Sequence, residues 1–192
     1  MCGRYEVSAI SYKWAEKEIV YDYEEPLDYP AIEMNPGKTI EIIMAGEKGP
    51  KLAKALWGFS GKDGNLLINA RSESIEAKAS FHASFTARRC LVPASAFFEW
   101  DQGRNKVKFK VPGKEVFYLG CIWTMEDDEL RFVILTTEAN GSMAPVHDRM
   151  PVIIDKEDAM LWLYDKEGAK RLLATEMPKL LVIRDEQQLS FL

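Results

Sequence analysis

Alternating apolar and polar residues predict that β-strands fill most of the middle of the chain. Residues 106–111, "KVKFKV", alternate strictly, and residues 130–137, "LRFVILTT", form a mostly apolar run; both patterns are typical of strands. Turn-forming Gly, Pro, Asn and Asp residues separate such segments, as in "NPGK" at 35–38 and "SGKDGN" at 60–65. Further strands are predicted at 39–45, 51–59, 90–93, 96–100, 116–123 and 179–184.

Helical spacing of apolar residues occurs in four shorter stretches. Residues 7–20 carry Ser8 or Ser11 as a cap, so a helix is expected directly after the N-terminus. Further helices are predicted at 72–85, 156–164 and 167–174, with an irregular connection at 138–154. Runs of strands flanked by helices indicate an α+β fold of mostly antiparallel sheet, in a single domain over residues 1–192. Closure of the sheet into a barrel is compatible with this order.

Composition narrows the class of protein. A chain of 192 residues that is 47% hydrophobic can bury one core, and no apolar run reaches the roughly 18 residues of a membrane span. The N-terminus lacks a signal-peptide pattern, so we expect a cytoplasmic protein without membrane contact, and a monomer. Cys2, Cys90 and Cys121 are too few and too far apart for a disulfide framework. With two histidines and no C-x-x-C pair, neither a metal site nor a cofactor is expected.

The net charge of −5 argues mildly against nucleic acid as a partner, because phosphate-binding domains are usually basic. The argument is limited, since a binding site needs only a local basic patch. Arg4, Arg71, Arg88 and Arg89 lie beside the unusual segments described next, although any single arginine is most often an ordinary surface charge.

The position of Cys2 is the first unusual feature. Initiator methionine is usually removed before a small residue, which would leave Cys2 with a free α-amine and a thiol on adjacent carbons. That pair is a 1,2-aminothiol, a group with its own chemistry, and Gly3 would let the backbone approach a ligand closely. The alternative is a small buried apolar residue, the commonest state of a free cysteine.

Three further segments place polar groups within apolar sequence, where an unpaired group costs about 1 to 3 kcal/mol. Asn69 follows the apolar residues of "LLIN" and is either a turn residue or a group that orients a ligand. Glu99 shares a strand face with Phe97, where burial disfavours the ionised form; it is a candidate general acid, or a partner of Arg71. His147, in the proline-bracketed "PVHDRMP", is a proton-transfer candidate or a structural histidine.

Five segments together resemble the SRAP family, the SOS response-associated peptidases. They are "MCGRY" at the start, "INARSES" around Asn69, "RRCLVPASAFFEW" up to Trp100, "TTEAN" from Thr136 and "HDRMP" from His147. The resemblance implies a barrel-like sheet core and action on abasic sites in single-stranded DNA. It also implies a stable covalent cross-link between processed Cys2 and the ring-opened aldehyde of the abasic sugar.

The resemblance also implies roles for individual residues. Cys2 would be the nucleophile, Asn69 would orient the reacting centre, Glu99 would be the acid/base residue and His147 its partner in ring opening. Arg4, Arg71 and one of Arg88 or Arg89 would bind phosphates, while Asn35, Pro36 and Trp100 would lie along the DNA. Self-cleavage after Met1, as the peptidase name suggests, and a lyase-like activity are further expectations.

Two departures and two rival functions accompany this resemblance. The short polar turn "SGKDGN" stands where members often have a longer loop, and Ala96 stands where glycine is common, which leaves the extent of the DNA groove open. An N-terminal-nucleophile amidohydrolase can also begin Met-Cys-Gly, but would ignore DNA. A noncovalent binder of modified or single-stranded DNA would not need Cys2 at all.

Overall fold

The computed structural model describes residues 2–7, 19 and 31–184, and strands are the most abundant regular element in these ranges. In chain order the strands are β1 (Tyr5–Val7), β2 (Ile32–Met34), β3 (Thr39–Met44), β4 (Lys51–Trp57), β5 (Phe59–Ser60), β6 (Leu66–Leu67), β7 (Asn69–Arg71), β8 (Arg89–Ala94), β9 (Ala96–Trp100), β10 (Lys106–Lys110), β11 (Phe117–Glu126), β12 (Glu129–Glu138), β13 (Arg149–Pro151), β14 (Ile153–Ile154) and β15 (Leu181–Arg184). The helices of these ranges are α1 (Ala79–Ala87), α2 (Ala159–Tyr164) and α3 (Lys166–Leu173).

A closed ring of five strands forms the centre of the fold. The order is β12–β4–β3–β8–β11, and β11 pairs back to β12, which closes the ring. Neighbours are antiparallel except for β4 with β12; β7, outside the ring, also runs parallel to β12. The expected α+β fold with a mostly antiparallel, barrel-like sheet core is therefore confirmed. Closure leaves no free edge within the ring, which removes sites for unwanted strand pairing.

A second antiparallel sheet packs beside the barrel and carries the N-terminus. Its order is β15–β10–β9–β1–β2, so β1 lies between β2 and β9. Aromatic side chains join the two sheets: the Tyr5 ring lies 5.1 Å from the Trp57 ring, and Trp57 stacks on Phe132 at 6.2 Å. All three side chains are fully buried or nearly so, and such burial contributes about 1.5 to 3 kcal/mol each.

Several predicted elements have different bounds in the structure. The stretch 72–85, predicted as one helix, is a 3₁₀ turn at Ser72–Ser74 followed by α1 from Ala79. Its buried apolar residues explain the difference, because Phe81 and Phe85 are four apart, whereas Ile75 and Phe81 are six apart and cannot share a helix face. The helix predicted at 7–20 lies almost wholly outside the described residues, and Val7 ends β1.

The connection at 138–154 is not irregular throughout, contrary to the sequence prediction. Residues 149–151 form β13, which pairs with the end of β12, and residues 153–154 form β14, which pairs with β11. Pro151 obscures this pairing in the sequence, because proline cannot donate to a ladder and is found in strands only at edges. The strand pairing fixes the position of the loop that carries His147.

Candidate active site

The first residues of the chain lie between two strands that carry other candidate residues. Tyr5 pairs with Met34 of β2 on one side and with Phe97 of β9 on the other. The backbone N–H of Phe98 donates to the carbonyl of Arg4 at 2.9 Å, which extends this pairing toward the N-terminus. Residues 2–4 therefore lie beside the end of β9, where Glu99 and Trp100 are located.

Cys2 is buried and is held from two directions. Its side chain has no exposed surface, and its Sγ lies 4.0 Å from the carbonyl oxygen of Arg4. The Asn69 side chain, at the start of β7, donates from Nδ2 to the Cys2 carbonyl oxygen at 3.0 Å. Asn69 Oδ1 is also buried and accepts no hydrogen bond from the described residues, so among them one acceptor beside Cys2 is unused.

Glu99 is the charged group close to this cysteine. Its side chain is 4% exposed, and its backbone pairs with Val107 of β10. Burial raises the pKa of the Cys2 thiol well above its usual range, and the negative charge of Glu99 raises it further. Cys2 is consequently a neutral thiol at physiological pH, and a nearby base would have to remove its proton during any reaction.

His147 lies on the loop between β12 and β13, next to β7. Thr136 of β12 pairs with Arg71 of β7 and with Pro151 of β13, so these three strands meet at one point. The backbone N–H of Arg149 donates to His147 Nδ1 at 2.9 Å. Asp148 Oδ1 is also 2.9 Å from Nδ1, but a carboxylate cannot donate to a lone pair, and the Asp148 side chain is 84% exposed. Nδ1 accepts from the fixed backbone amide of Arg149, so this nitrogen carries a lone pair rather than a proton.

A polar cavity separates β7 from the His147 loop. Its volume is about 460 Å³. Its lining residues are Arg71, Glu138, Ala139, Ala144, Asp148 and Arg149. Two guanidinium groups in one open cavity can attract an anion such as phosphate. The described contacts thus bring Cys2 and Asn69 together, with Glu99 beside them, and place Arg71 and His147 on the adjoining elements.

Three groups expected to contact DNA lie beside the start of β1. They are Arg4, Trp100 and the turn that contains Asn35 and Pro36. The Arg4 guanidinium lies over the Trp100 ring at 5.1 Å from its centre and pairs with Glu33 at 3.4 Å. Asn35 directly follows Met34, the partner of Tyr5, so the turn lies beside Arg4. Gly37 closes the turn with a φ of +77°, a conformation that glycine adopts without strain. The exposed indole of Trp100 is available for stacking.

Arg88 and Arg89 have different environments, and one expectation needs correction. Arg89 is 4% exposed, and its guanidinium donates to four carbonyls near the ends of α1 and α2. These acceptors are Phe85, Thr86, Trp162 and Leu163, at 2.6, 2.8, 2.6 and 3.4 Å. The expected phosphate contact for Arg89 is therefore wrong, because its donors are used within the fold. Arg88 is half-buried, donates to Ser84 and lies 6.0 Å from the Trp123 ring centre.

Four other charged residues near the site were not predicted from the sequence. Arg149 makes two 2.8 Å hydrogen bonds to the carboxylate of Glu73, and both belong to quoted motifs, "HDRMP" and "ARSES". Lys106 and Lys108 lie over the Phe98 ring at 4.1 and 5.6 Å from its centre. The strict alternation of "KVKFK" beside "AFFEW" was the available signal for the lysines.

Neither a membrane-spanning helix nor a cluster of metal ligands occurs in the described ranges. No helix there is long and apolar enough to cross a membrane. Likewise, no three His, Cys, Asp or Glu side chains of those residues come together in a way that could hold a metal ion.

Comparison with protein-family models gives a match over nearly the whole chain, residues 1–189, to SOS response associated peptidase (SRAP). A relative in Bacillus subtilis (strain 168), named abasic site processing protein YoqW, is 30% identical over 182 residues, which cover 86% of this chain and 81% of the relative. Abasic site processing protein YedK of Escherichia coli (strain K12) is 26% identical over 186 residues, covering 88% and 82%.

Solved structures share the fold. A crystal structure of a protein from Bordetella bronchiseptica matches with a TM-score of 0.79 at 18% identity, covering 96% of this chain and all of that one. A phage-related protein from the same organism matches with a TM-score of 0.77 at 23% identity, covering 97% of this chain and 95% of that one. At these identities the comparison establishes the architecture alone.

Proposed function

The chain belongs to the SRAP family, and on this premise we propose that it captures abasic sites in single-stranded DNA by a covalent bond to Cys2. The observation that carries the proposal is the environment of Cys2. Asn69 Nδ2 donates to the Cys2 carbonyl at 3.0 Å, and burial, followed by the charge of Glu99, raises the pKa of the Cys2 thiol. A buried cysteine near the N-terminus with such polar neighbours is unusual for a residue that only packs. The names of the bacterial relatives support abasic DNA as the substrate.

The reaction uses both nucleophiles of Cys2 after Met1 is removed. An α-amine has an unperturbed pKa of roughly 7.7 to 8.0, so a useful fraction is neutral near pH 7. The amine adds to the aldehyde of the ring-opened sugar and water leaves, which gives an imine. The sulfur then adds to the imine carbon while the thiol proton is transferred to the nitrogen. The product is a five-membered thiazolidine, and atoms balance with one water released.

Asn69 can hold the reacting amine in place. Its Nδ2 already donates to the Cys2 carbonyl, while its buried Oδ1 accepts no hydrogen bond from the described residues. An α-ammonium or amine produced by loss of Met1 would supply such a donor from the same residue. Satisfying a buried acceptor is worth about 1 to 3 kcal/mol, and fixing the nucleophile also lowers the entropic cost of attack.

Glu99 and His147 supply the proton transfers. The Cys2 thiol is neutral, so its attack requires a base, and buried Glu99 is the nearby carboxylate that can accept the proton. Loss of water from the first adduct comes before the thiol reacts and requires an acid. Glu99 provides it by taking the proton that the amine loses on addition and giving that proton to the leaving water. His147, 26% exposed on the adjoining loop, is suited to exchange a proton with the sugar oxygen during ring opening.

Binding of the strand relies on arginines and one aromatic side chain. Arg4, Arg71 and Arg88 would contact phosphates, and Trp100 would stack on an unpaired base beside the lesion. Asn35 and Pro36 would line the DNA next to Arg4. These contacts read no sequence, which fits a protein that must act wherever an abasic site occurs.

The decisive experiment incubates protein of mass-verified N-terminus Cys2 with a single-stranded oligonucleotide that carries one abasic site, followed by a denaturing gel. The expected result is a shifted band that survives denaturant and requires both Cys2 and the lesion. Cys2→Ala, undamaged DNA and a tetrahydrofuran site without an aldehyde are the controls. Asn69→Ala should slow the reaction by about 10-fold or more, because the nucleophile loses its anchor.

Other outcomes identify the rival functions. Absence of any band with confirmed loss of Met1 would contradict covalent capture. Release of ammonia from glutamine without a DNA product would indicate an amidohydrolase, and equal binding by wild type and Cys2→Ala would indicate a noncovalent binder. Self-cleavage after Met1 predicts that the mature mass is lost in Asn69→Ala or Glu99→Gln, whereas trimming by an aminopeptidase leaves the mature mass unchanged.

A further inference from the structure

Arg149 and Glu73 form a two-fold hydrogen-bonded ion pair beside the candidate site. Arg149 Nη1 and Nη2 each donate to one carboxylate oxygen of Glu73 at 2.8 Å. The Arg149 side chain is 9% exposed, and Nη2 also donates to the carbonyl of Thr136 at 2.7 Å. Planar bidentate pairs of this kind constrain orientation as well as distance. The hydrogen bonds from Arg149 lower the pKa of Glu73, so the carboxylate is charged at neutral pH.

This pair connects elements that are distant in the sequence. Glu73 follows β7, the strand that begins with Asn69, whereas Arg149 begins β13, 76 residues later. The backbone of Arg149 pairs with Glu138 at the end of β12, and the carbonyl of Asp148 accepts the N–H of Ala139 at 3.0 Å. The ion pair therefore fixes the last part of the His147 loop against β7 and β12.

Two groups compete for the Nδ1 atom of His147. The Arg149 backbone N–H donates to Nδ1 at 2.9 Å, which requires a lone pair there and leaves the proton of a neutral ring on Nε2. The Asp148 carboxylate, also at 2.9 Å, would instead stabilise a proton on Nδ1. The position of the Arg149 backbone decides between these states, because the exposed Asp148 side chain can rotate whereas the amide cannot. The other charged groups of this cavity are Arg71 and Glu138.

We propose that Glu73 is a positioning residue that acts through Arg149 to keep the proton of neutral His147 on Nε2, an inference that rests on the proposed function for its effect on catalysis. With Nδ1 accepting from the amide, the proton of the neutral ring is on Nε2, the position from which the proposed reaction needs a donor. Loss of the Glu73 carboxylate leaves the Thr136 carbonyl as the acceptor that still holds the Arg149 guanidinium. The Arg149 amide is then held less firmly against Nδ1, and Asp148 draws the proton to that atom. The ring then presents an acceptor where the reaction needs a donor.

The test compares Glu73→Gln with Glu76→Gln. Glu76 lies three residues further along the same connection and pairs on the surface with Lys170 at 2.8 Å and Lys166 at 3.8 Å, so its variant also loses one carboxylate and the ion pairing it makes. The first measurement is ¹⁵N NMR of the His147 ring at pH 8 without DNA, assigned with a His82→Gln background. We expect the Nε2–H tautomer in wild type and Glu76→Gln, and a several-fold increase of the Nδ1–H tautomer in Glu73→Gln.

The second measurement is the single-turnover rate of cross-linking to abasic oligonucleotide. Removal of a group that orients a reacting side chain commonly costs about 10- to 100-fold, so we expect at least a 10-fold slower rate for Glu73→Gln and an unchanged rate for Glu76→Gln. Noncovalent affinity for an oligonucleotide with a tetrahydrofuran site should change less than about 2-fold. This split between rate and binding distinguishes positioning from a general loss of structure.

Each outcome decides the inference. If the His147 ring of the wild-type protein carries its proton on Nδ1, the inference is overturned without any variant. The inference can therefore still be tested if Glu73→Gln does not fold. A Glu73→Gln protein with the wild-type tautomer and rate would overturn it as well. If wild type forms no cross-link, the proposed function fails, yet the NMR comparison still establishes whether Glu73 controls the His147 ring.

Discussion

At the scale of single residues, Cys2 and Glu99 influence each other through burial and charge. Both are almost fully excluded from water, and a negative charge beside a thiol makes the thiolate harder to form. The surroundings therefore keep Cys2 as a neutral thiol, which is less reactive than a thiolate. Many cysteine nucleophiles are instead kept as thiolates by cationic neighbours. Such a thiol resists adventitious modification until a substrate and a base are present together.

Glu99→Gln should make Cys2 more reactive toward a small alkylating reagent, although it slows cross-linking. Removing the negative charge lowers the pKa of the Cys2 thiol, so more thiolate exists at any given pH. In both proteins the alkylation rate should rise with pH, because the raised thiol pKa lies above the pH range tested. Peptide mass mapping after alkylation between pH 7 and 9 measures this at Cys2 alone. Glu6→Gln, with its carboxylate paired to Lys108 at 2.8 Å, is the control. Equal alkylation of wild type and Glu99→Gln would contradict the proximity.

At the scale of elements, Arg89 joins two helices to the barrel. Arg89 begins β8, yet its guanidinium donates to carbonyls at the ends of α1 and α2. Its acceptor in α2, Trp162, is 73 residues further along the chain. Carbonyls in the last turn of a helix have no partner within the helix, and a buried helix end must find one elsewhere. The planar array of donors of arginine can serve several carbonyls at once, which a lysine ammonium cannot.

Arg89→Lys should destabilise the protein by about 3 kcal/mol, because at least two buried carbonyls would lose their donors. Arg88→Lys, at the neighbouring and half-buried position, should cost less than about 1 kcal/mol. Urea denaturation of the two variants beside wild type measures the free energy of unfolding. Similar small losses for both variants would show that the Arg89 hydrogen bonds do not stabilise the helix ends.

Elements differed in how well local pattern predicted them. Strand β10 was predicted from alternation because one of its faces lies on the core, and β12 from an apolar run because both of its faces are buried in its middle. By contrast, β1 and β13 have three residues each, which is too short for a periodic signal, and only their partners make them strands. The turn at Ser72–Ser74 was predicted as helix because serine also caps helices.

At the scale of the whole molecule, an acidic protein is proposed to bind a polyanion. The net charge is −5, so long-range attraction to DNA is weak and association depends on the local arrangement of cations. Arg4 and Arg71 lie at the proposed site, and Arg4 is paired with Glu33 in the protein alone. A phosphate would take the place of that carboxylate.

Affinity for single-stranded DNA should still fall with salt despite the negative net charge. Three phosphate contacts, from Arg4, Arg71 and Arg88, correspond to a slope of about −2 in a plot of log K against log salt concentration. Arg71→Gln should reduce the slope by about 0.7, whereas Lys54→Gln, an exposed residue of β4 with the same charge change, should leave it unchanged. Fluorescence anisotropy at salt concentrations from about 50 to about 300 mM, a roughly six-fold range, measures this slope. A flat response would contradict a phosphate-binding groove.

The candidate site was partly predictable, since polar residues in apolar strands are conspicuous in any sequence. Asn69 and Glu99 were recognised in this way, and the structure places them with Cys2, although their roles stay predictions. Arg89 was misjudged because an arginine that caps helix ends has the same local sequence as one at the surface. The Glu73–Arg149 pair joins residues 76 positions apart, and no local pattern indicates such a contact.

The sequence by itself determined the α+β class, the predominance of antiparallel strands and the residues that could react, because periodicity and misplaced polar groups are local properties. Only the tertiary structure decided that five strands close into a ring, that Arg89 is used inside the fold and that Arg149 controls the Nδ1 atom of His147. These features depend on which distant segments share the limited buried space and supply each other's hydrogen bonds. That choice is made by packing over the whole chain, so it cannot be read from any single segment.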